Sequence, residues 1–129
     1  MSSTSLTYVA VVDDDQSVRR SFARLLRAAG IQAITYSSAE AFLADRKRPQ
    51  FDCVVLDVQL EGMSGIELGK VLMAAEGPRL PLVYVTAHDD PETRARAEAV
   101  GCAAYFRKRD SGADVLEAIR RLTAPSASR

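Results

Sequence analysis

Two separated groups of aspartates in this sequence have residue types and positions that suit cation chemistry. Asp13, Asp14 and Asp15 follow the apolar run "YVAVV" (8–12), and Asp57 ends the run "FDCVVLD" (51–57). Neighbouring carboxylates repel one another, and a carboxylate beside a core is costly to desolvate. Clusters of carboxylate oxygens suit a hard cation such as Mg²⁺, which binds one or two carboxylates and retains water. The pattern therefore predicts a magnesium site if the two groups meet.

A hydroxyl and an ammonium group follow two later apolar runs. Thr86 ends "LPLVYVT" (80–86), and Lys108 lies just beyond "AAYF" (103–106). Near a bound cation, a lysine and a hydroxyl can hold the oxygens of a phosphoryl group. An aspartate in that setting can act as the nucleophile and form an aspartyl-phosphate.

The elements that must bring these groups together alternate between strand and helix. Strands are predicted at 8–12, 31–35, 51–57, 80–86 and 103–106. A helix is predicted after each strand. The first runs from about Val18 to a cap at Gly30, and the second begins at a capping box of Ser37 and Glu40. The third runs from a capping box of Ser64 and Glu67 to about Ala75, the fourth from Asp90 and Pro91 to about Val100, and the fifth over 111–122.

Almost purely apolar strands alternating with helices predict a parallel α/β sheet with helices on both faces. In such sheets, ligands bind beyond the carboxyl ends of the strands. The aspartates, Thr86 and Lys108 are all predicted at that edge. Asp15 is also a good N-cap for the first helix, which leaves Asp13 and Asp14 for a metal.

Over about residues 6 to 123 the chain resembles the receiver domain of bacterial two-component response regulators. The motifs that carry the resemblance are "VVDDD", "VVLDVQLEGMSG", "VYVTA" and "YFRK", in the same order. "VVDDDQSVRRSFARLLRAAG" and "YSSAEAFLA" further resemble the receivers of nitrogen-fixation-type transcriptional regulators. The resemblance implies a flavodoxin-like, doubly wound sheet of five parallel strands in the order 2-1-3-4-5, with residues 1–123 forming the domain.

The resemblance also implies a phosphorylation-dependent signalling switch. Asp57 would accept phosphate from a sensor histidine kinase, with Mg²⁺ bound by Asp13, Asp14 and Asp57. Thr86 and Lys108 would contact the phosphoryl oxygens, and Tyr105 would rotate when Thr86 moves. Gln59 and His88 occupy the positions at which this family tunes the access of water to the phosphoryl group. Such a domain catalyses only its own phosphorylation and dephosphorylation.

Two residues depart from the family pattern. Arg109 follows Lys108 where proline is usual, and because a cis bond before a non-proline residue costs about 2.5–4 kcal/mol, we predict a trans peptide and a rearranged loop. Glu61 replaces another usual proline and is expected to loosen its loop, whereas Gly62 and Gly65 are expected to supply unusual backbone angles. These departures leave open a receiver-like interaction module that is not phosphorylated.

A second alternative is a haloacid-dehalogenase-type phosphatase. These enzymes begin with Asp-x-Asp after their first strand, and Asp13 and Asp15 match that spacing as nucleophile and acid. The phosphatase family also needs further acidic motifs and usually a longer chain with a cap. The receiver interpretation accounts for more of the sequence.

Composition sets the remaining expectations. Seventeen basic residues balance seventeen acidic ones, so no overall field would draw this chain to nucleic acid or a membrane. No apolar segment approaches the roughly 20 residues that span a bilayer, no signal-peptide core is found, and Cys53 and Cys102 lack metal-ligand spacing. We expect reduced thiols, a cytoplasmic location, and a disordered tail or linker start at 124–129. The candidate surface for a homodimer or a docked partner is the fourth helix, fifth strand and fifth helix, with Arg94, Arg96, Tyr105, Arg107 and Arg109.

Overall fold

The sheet and helices follow the predicted alternation. The computed structural model describes residues 6–75 and 80–124. Its strands are β1 (Tyr8–Val12), β2 (Gln32–Tyr36), β3 (Cys53–Leu56), β4 (Leu82–Thr86) and β5 (Ala104–Arg107). Its helices are α1 (Gln16–Ala28), α2 (Ala39–Ala44), α3 (Gly65–Ala74), α4 (Pro91–Val100) and α5 (Gly112–Thr123). All neighbouring strands pair in parallel in the order β2-β1-β3-β4-β5, which confirms the predicted topology.

Alternation along the strands builds a separate core on each face of the sheet. Val9 and Val11 of β1 pack with α1 and α5, whereas Ala10 and Val12 pack with α2, α3 and α4. Successive strand residues point to opposite faces, so a strand buried on both sides must be apolar throughout. The helices on both faces are thereby confirmed.

The C-terminal capping motif of α1 includes Ile31, the residue at which the second strand was predicted to begin, and this shifts the strand. Gly30, at φ 82°, follows the C-cap residue Ala29, and the amide of Ile31 donates to the carbonyl of Leu26. In this C-terminal capping motif, the amide of Ile31 is hydrogen-bonded to the last turn of the helix. Strand β2 therefore begins at Gln32 rather than at residue 31.

The predicted capping box of Ser37 and Glu40 is wrong. Ser38 is the N-cap of α2, and its hydroxyl accepts from the amide of Ala41 at 2.9 Å. The Glu40 carboxylate instead accepts from the distant amide of Met63 at 2.7 Å. The box of Ser64 and Glu67 at α3 is confirmed.

Other local predictions stand with small shifts. Strand β3 is shorter than predicted at both ends, β4 is shorter at its start, and β5 is displaced by one residue. Both cysteines are free thiols, and burial raises the pKa of Cys53 to about 12.

Residues 125–129 of the predicted disordered tail lie outside the described part of the chain. Across residues 6–75 and 80–124, no helix combines the length and apolar character needed to cross a membrane.

Candidate functional site

The predicted site residues meet at one edge of the sheet. Asp13 directly follows β1, Asp57 follows β3, Thr86 ends β4 and Lys108 follows β5. These four strands are neighbours in the sheet, so their carboxyl ends lie side by side. Asp13 is 3% exposed, Asp57 5% and Thr86 0%, which is unusual for such polar residues.

The two groups of aspartates form one acidic cluster. Asp13, Asp14 and Asp57 each offer a carboxylate oxygen, and these oxygens lie within 4.8 Å of one another. The pairing of β1 with β3 brings this about, since the amide of Asp57 donates to the carbonyl of Val12 at 3.2 Å. An all-oxygen donor set on two buried residues and one exposed residue fits a hard divalent cation that keeps part of its water.

Asp15, the last of the three consecutive aspartates, has a different role from Asp13 and Asp14. The Asp15 carboxylate accepts from both the hydroxyl and the amide of Ser17, at 2.8 and 2.9 Å, and it caps α1. Both hydrogen bonds lower the pKa of Asp15, and the one from the Ser17 hydroxyl has the larger effect. The predicted role of Asp15 as the N-cap of α1 is confirmed. The phosphatase alternative requires Asp15 to act as a general acid, and its engagement in the helix cap does not favour that role.

Lys108 supplies a positive charge within the site. Its Nζ lies 2.9 Å from Oδ2 of Asp57 and 3.1 Å from Oδ2 of Asp13. Burial favours a lower pKa for Lys108, but hydrogen bonds to Asp57 and then Asp13 outweigh it, and the pKa is raised. The lysine is therefore charged at neutral pH and bridges the two buried carboxylates.

Burial has the largest influence on Asp13. It raises the pKa of Asp13, against the hydrogen bond from the amide of Asp15 and the neighbouring ammonium of Lys108, both of which lower it. Three carboxylates and one ammonium leave a net charge of −2 when all are ionised. A divalent cation would neutralise that charge.

The turn after β5 directs Lys108 without a proline. No cis peptide bond occurs in the described residues, so the Lys108–Arg109 bond is trans as predicted. The amide of Lys108 donates to the carbonyl of Thr86 at 2.9 Å, while the Asp110 carboxylate accepts from the amide of Arg107 at 2.8 Å. Asp110 thus closes the turn through its side chain, as aspartate often does in turns. Sequence analysis missed this residue, although an aspartate after "RKR" is a turn signal.

The proposed switch residues lie on the neighbouring strands β4 and β5, where Tyr105 pairs in register with Tyr84 and Thr86 with Arg107. Thr86 Oγ1 accepts from the amide of His88 at 3.1 Å. The Tyr105 hydroxyl is enclosed and has no hydrogen-bond partner within bonding distance among residues 6–75 and 80–124, while the Arg94 guanidinium lies 4.9 Å from the ring centroid. Burial, followed by the nearby Asp89 carboxylate, raises the pKa of Tyr105 to about 12.

The predicted rate-tuning residues line an open cavity of about 370 Å³ beside Asp57. Gln59 and His88 lie on its wall together with Glu61, Asp14 and Lys108. The amide of Gln59 also donates to Oδ1 of Asp57 at 3.1 Å, so both oxygens of that carboxylate are engaged.

The glycines of the loop after Asp57 act in two different ways. Gly62 has φ 76°, which confirms its predicted unusual angle. Gly65 does not have a positive φ, so that part of the prediction is wrong. Gly65 is required for space, because a Cβ there would lie 1.8 Å from the Asp57 carbonyl oxygen.

The family comparison agrees with this geometry. The model of the response regulator receiver domain matches residues 9–120. The chain is 36% identical over 112 residues to the transcriptional regulatory protein FixJ of Azorhizobium caulinodans, covering 87% of this chain and 53% of that one. It is 33% identical over 112 residues to the response regulator protein TmoT of Ectopseudomonas mendocina, covering 87% and 50%. The chain thus spans about half the length of these curated relatives.

Solved structures give the same result. A response regulator receiver protein from Burkholderia phymatum superposes with a TM-score of 0.78 at 39% identity, covering 95% of this chain and 99% of that one. The crystal structure of FixJ-N superposes with a TM-score of 0.82 at 28% identity, covering 98% and 100%. The fold and the strand-end site define a receiver of the two-component signalling class. The chain belongs to the response regulator receiver domain family.

Proposed function

We propose that this domain is a phosphorylation-dependent switch that accepts phosphate on Asp57 from a sensor histidine kinase. The observation that carries the proposal is the position of Lys108, whose ammonium bridges the buried carboxylates of Asp57 and Asp13 at 2.9 and 3.1 Å. Asp13, Asp14 and Asp57 would hold Mg²⁺, as their oxygens lie within 4.8 Å of one another. The ion would supply charge neutralisation for an approaching anionic phosphoryl group.

The chain's own residues divide the transfer among them. A carboxylate oxygen of Asp57 forms the new bond to phosphorus as the bond to the kinase imidazole breaks, and the imidazole leaves with its electron pair. Lys108 offers its ammonium to the transferred oxygens, and the Thr86 hydroxyl donates to one of them. Gln59 and His88, on the cavity wall, limit the approach of water.

The output step is supported by the bonding of Thr86 and Tyr105. Among the described residues, the Thr86 hydroxyl makes one hydrogen bond, accepted from the amide of the exposed His88, so it can turn towards a phosphoryl group at little cost. The Tyr105 hydroxyl is enclosed near the Asp89 carboxylate, so rotation of the ring would carry it away from that negative charge. Phosphorylation then shifts a pre-existing equilibrium of the surface formed by α4, β5 and α5.

That surface is the proposed docking site for a second copy or another partner. Its arginines are partly paired: Arg94 with Glu98 at 3.5 Å, and Arg107 with Asp110 at 3.2 Å. Arg96 and Arg109 are exposed. The exposed Arg94, whose guanidinium lies 4.9 Å from the Tyr105 ring centroid, suits a partner that responds to the state of Tyr105.

The decisive experiment is incubation with acetyl phosphate and Mg²⁺, followed by intact-mass measurement and Phos-tag electrophoresis. We expect one phosphate on the wild type and none on Asp57→Asn, and chelation of Mg²⁺ should block the reaction. If the wild type gains no phosphate and no Mg²⁺ binding is detected, the chain is instead the interaction module that is not phosphorylated. A phosphoryl analogue found on Asp13 would restore the phosphatase alternative.

A further inference from the structure

The loop from residue 58 to residue 64, here called the β3–α3 loop, is held by two distant parts of the chain. The Glu40 carboxylate on α2 accepts from the amide of Met63 at 2.7 Å. The Tyr84 hydroxyl on β4 donates to the carbonyl of Gly65, just beyond the loop, at 2.8 Å. These partners lie 23 and 19 residues away along the chain. Neither contact follows from local helix capping.

Tyr84 reaches Gly65 because α3 leaves room for it. Tyr84 is fully buried, and a Cβ at Gly69 would lie 2.3 Å from its hydroxyl oxygen. The hydrogen bond is therefore enclosed, where its loss costs more than at a surface. Tyr84 also pairs in register with Leu56, the residue before Asp57.

The far end of the loop rests directly on Asp57. The amide of Gly65 donates to the carbonyl of Val58 at 2.9 Å, and a Cβ on Gly65 would meet the Asp57 carbonyl at 1.8 Å. The start of α3 therefore lies close against the Asp57 backbone, with no room for a side chain between them. Between these points the loop carries Gln59 and Glu61 on the cavity wall.

We propose that Glu40 and Tyr84 are positioning residues that clamp the β3–α3 loop and so protect phosphorylated Asp57 from hydrolysis. The clamp compensates for Glu61, which stands where a stiffer proline is usual, and it acts through Gln59 and Glu61. In the hydrolysis that it limits, a water oxygen bonds to phosphorus and the bond from phosphorus to the Asp57 oxygen breaks. The products are inorganic phosphate and the free carboxylate, with the water's protons passing to phosphate and solvent. This inference rests on the proposed phosphorylation of Asp57.

The test compares Tyr84→Phe and Glu40→Ala, each of which removes one of the two hydrogen bonds, with matched controls. Tyr36→Phe removes another tyrosine hydrogen bond, to Asp45 at 2.6 Å. Asp52→Ala removes another carboxylate that accepts a hydrogen bond from a distant amide, that of Tyr8 at 2.9 Å. Neither control contacts the β3–α3 loop through these bonds. Urea unfolding shows whether each variant and its control lose similar stability.

Two readouts follow for every variant. The first is the decay of the phosphorylated form on Phos-tag gels after acetyl phosphate is removed, which should be about three- to tenfold faster in Tyr84→Phe and Glu40→Ala than in the wild type. The second is amide hydrogen exchange over residues 58–65 without phosphate, which should be at least about fivefold faster in the same variants. The controls should match the wild type in both.

The outcomes separate this inference from the function on which it rests. Unchanged phosphate lifetimes in both clamp variants, with a phosphorylated wild type, would overturn the clamp and leave the switch intact. A wild type that gains no phosphate would overturn the switch. In that case unchanged exchange over residues 58–65 in both variants would overturn the clamp as well, because the two hydrogen bonds would then hold nothing in place.

Discussion

Replacing Lys108 with methionine removes one charge while keeping most of the apolar length of the side chain. In the wild type, the ammonium lies 2.9 Å from Asp57 and 3.1 Å from Asp13, whose side chains are only 7% and 4% exposed. The substitution leaves two buried carboxylates facing each other without a cation. The metal-free protein should therefore lose stability.

The size of the loss follows from the two contacts. A hydrogen bond to a charged group contributes about 1.5–3 kcal/mol, so two such bonds would give about 3–6 kcal/mol. The Lys108 side chain is 23% exposed, and water screens part of this interaction. We expect the free energy of unfolding in EDTA to fall by about 2–3 kcal/mol.

Magnesium should reverse much of that loss. Lys108 occupies oxygens of Asp13 and Asp57 that the metal would share, and its charge repels a divalent ion. A ligand at one hundred times its dissociation constant adds about 2.7 kcal/mol to folding stability. The gain in stability on adding Mg²⁺ should therefore be larger in Lys108→Met than in the wild type.

The measurement is urea unfolding followed by far-UV circular dichroism, in EDTA and in Mg²⁺. Lys70→Met is the matched control, because Lys70 is an exposed lysine on α3. The reasoning is refuted if Lys108→Met matches Lys70→Met in EDTA. A smaller gain from Mg²⁺ in Lys108→Met than in the wild type would refute it equally.

Three further predictions concern the cap, the backbone and the switch. Hydrogen bonds from the first turn of α4 lower the pKa of Asp90, so its contribution to stability is full above the unfolded value of 3.8 and is lost as the pH falls through the lower folded value. Asp90→Asn keeps a cap but does not titrate, so its urea stability should fall less steeply below about pH 4, and equal slopes would contradict this. Gly65→Ala forces a Cβ to within 1.8 Å of the Asp57 carbonyl and should cost at least about 1–3 kcal/mol in thermal unfolding; an unchanged melting temperature would be the opposing result. Thr86→Val should change stability by less than about 1 kcal/mol, since its hydroxyl accepts one bond from an exposed loop amide, yet it should abolish the phosphorylation-dependent shift of the Tyr105 ring signals in NMR spectra. A shift retained in that variant would remove Thr86 from the proposed route.

The order of the elements was predictable because it depends on local pattern. Runs such as "YVAVV" are apolar at every position, as a strand buried on both faces requires. Caps at Asp15, Ser64 and Asp90 were also predictable, because a cap involves residues two or three positions apart. Strand ends were less accurate, as the C-terminal capping motif of α1 shows at Ile31.

The contents of the site were predictable for a related reason. Parallel strands carry their carboxyl ends to one edge, so residues that follow the runs must converge there once the topology is given. Asp13, Asp57, Thr86 and Lys108 do converge. Phosphorylation by a kinase, the roles of Gln59 and His88, and a cytoplasmic location stay predictions.

Long-range contacts decided what the sequence could not. The sequence predicted Glu40 in a local capping box, but its carboxylate accepts a hydrogen bond from the amide of Met63 in the β3–α3 loop. It suggested that the absence of proline would disturb Lys108, but Asp110 closes the turn and the ammonium reaches both carboxylates. By itself the sequence determined which chemical groups stand at the strand ends, because spacing and hydrophobic pattern are local properties. Only the tertiary structure decided how those groups are held, because each hydrogen bond that holds them depends on where distant segments come to lie.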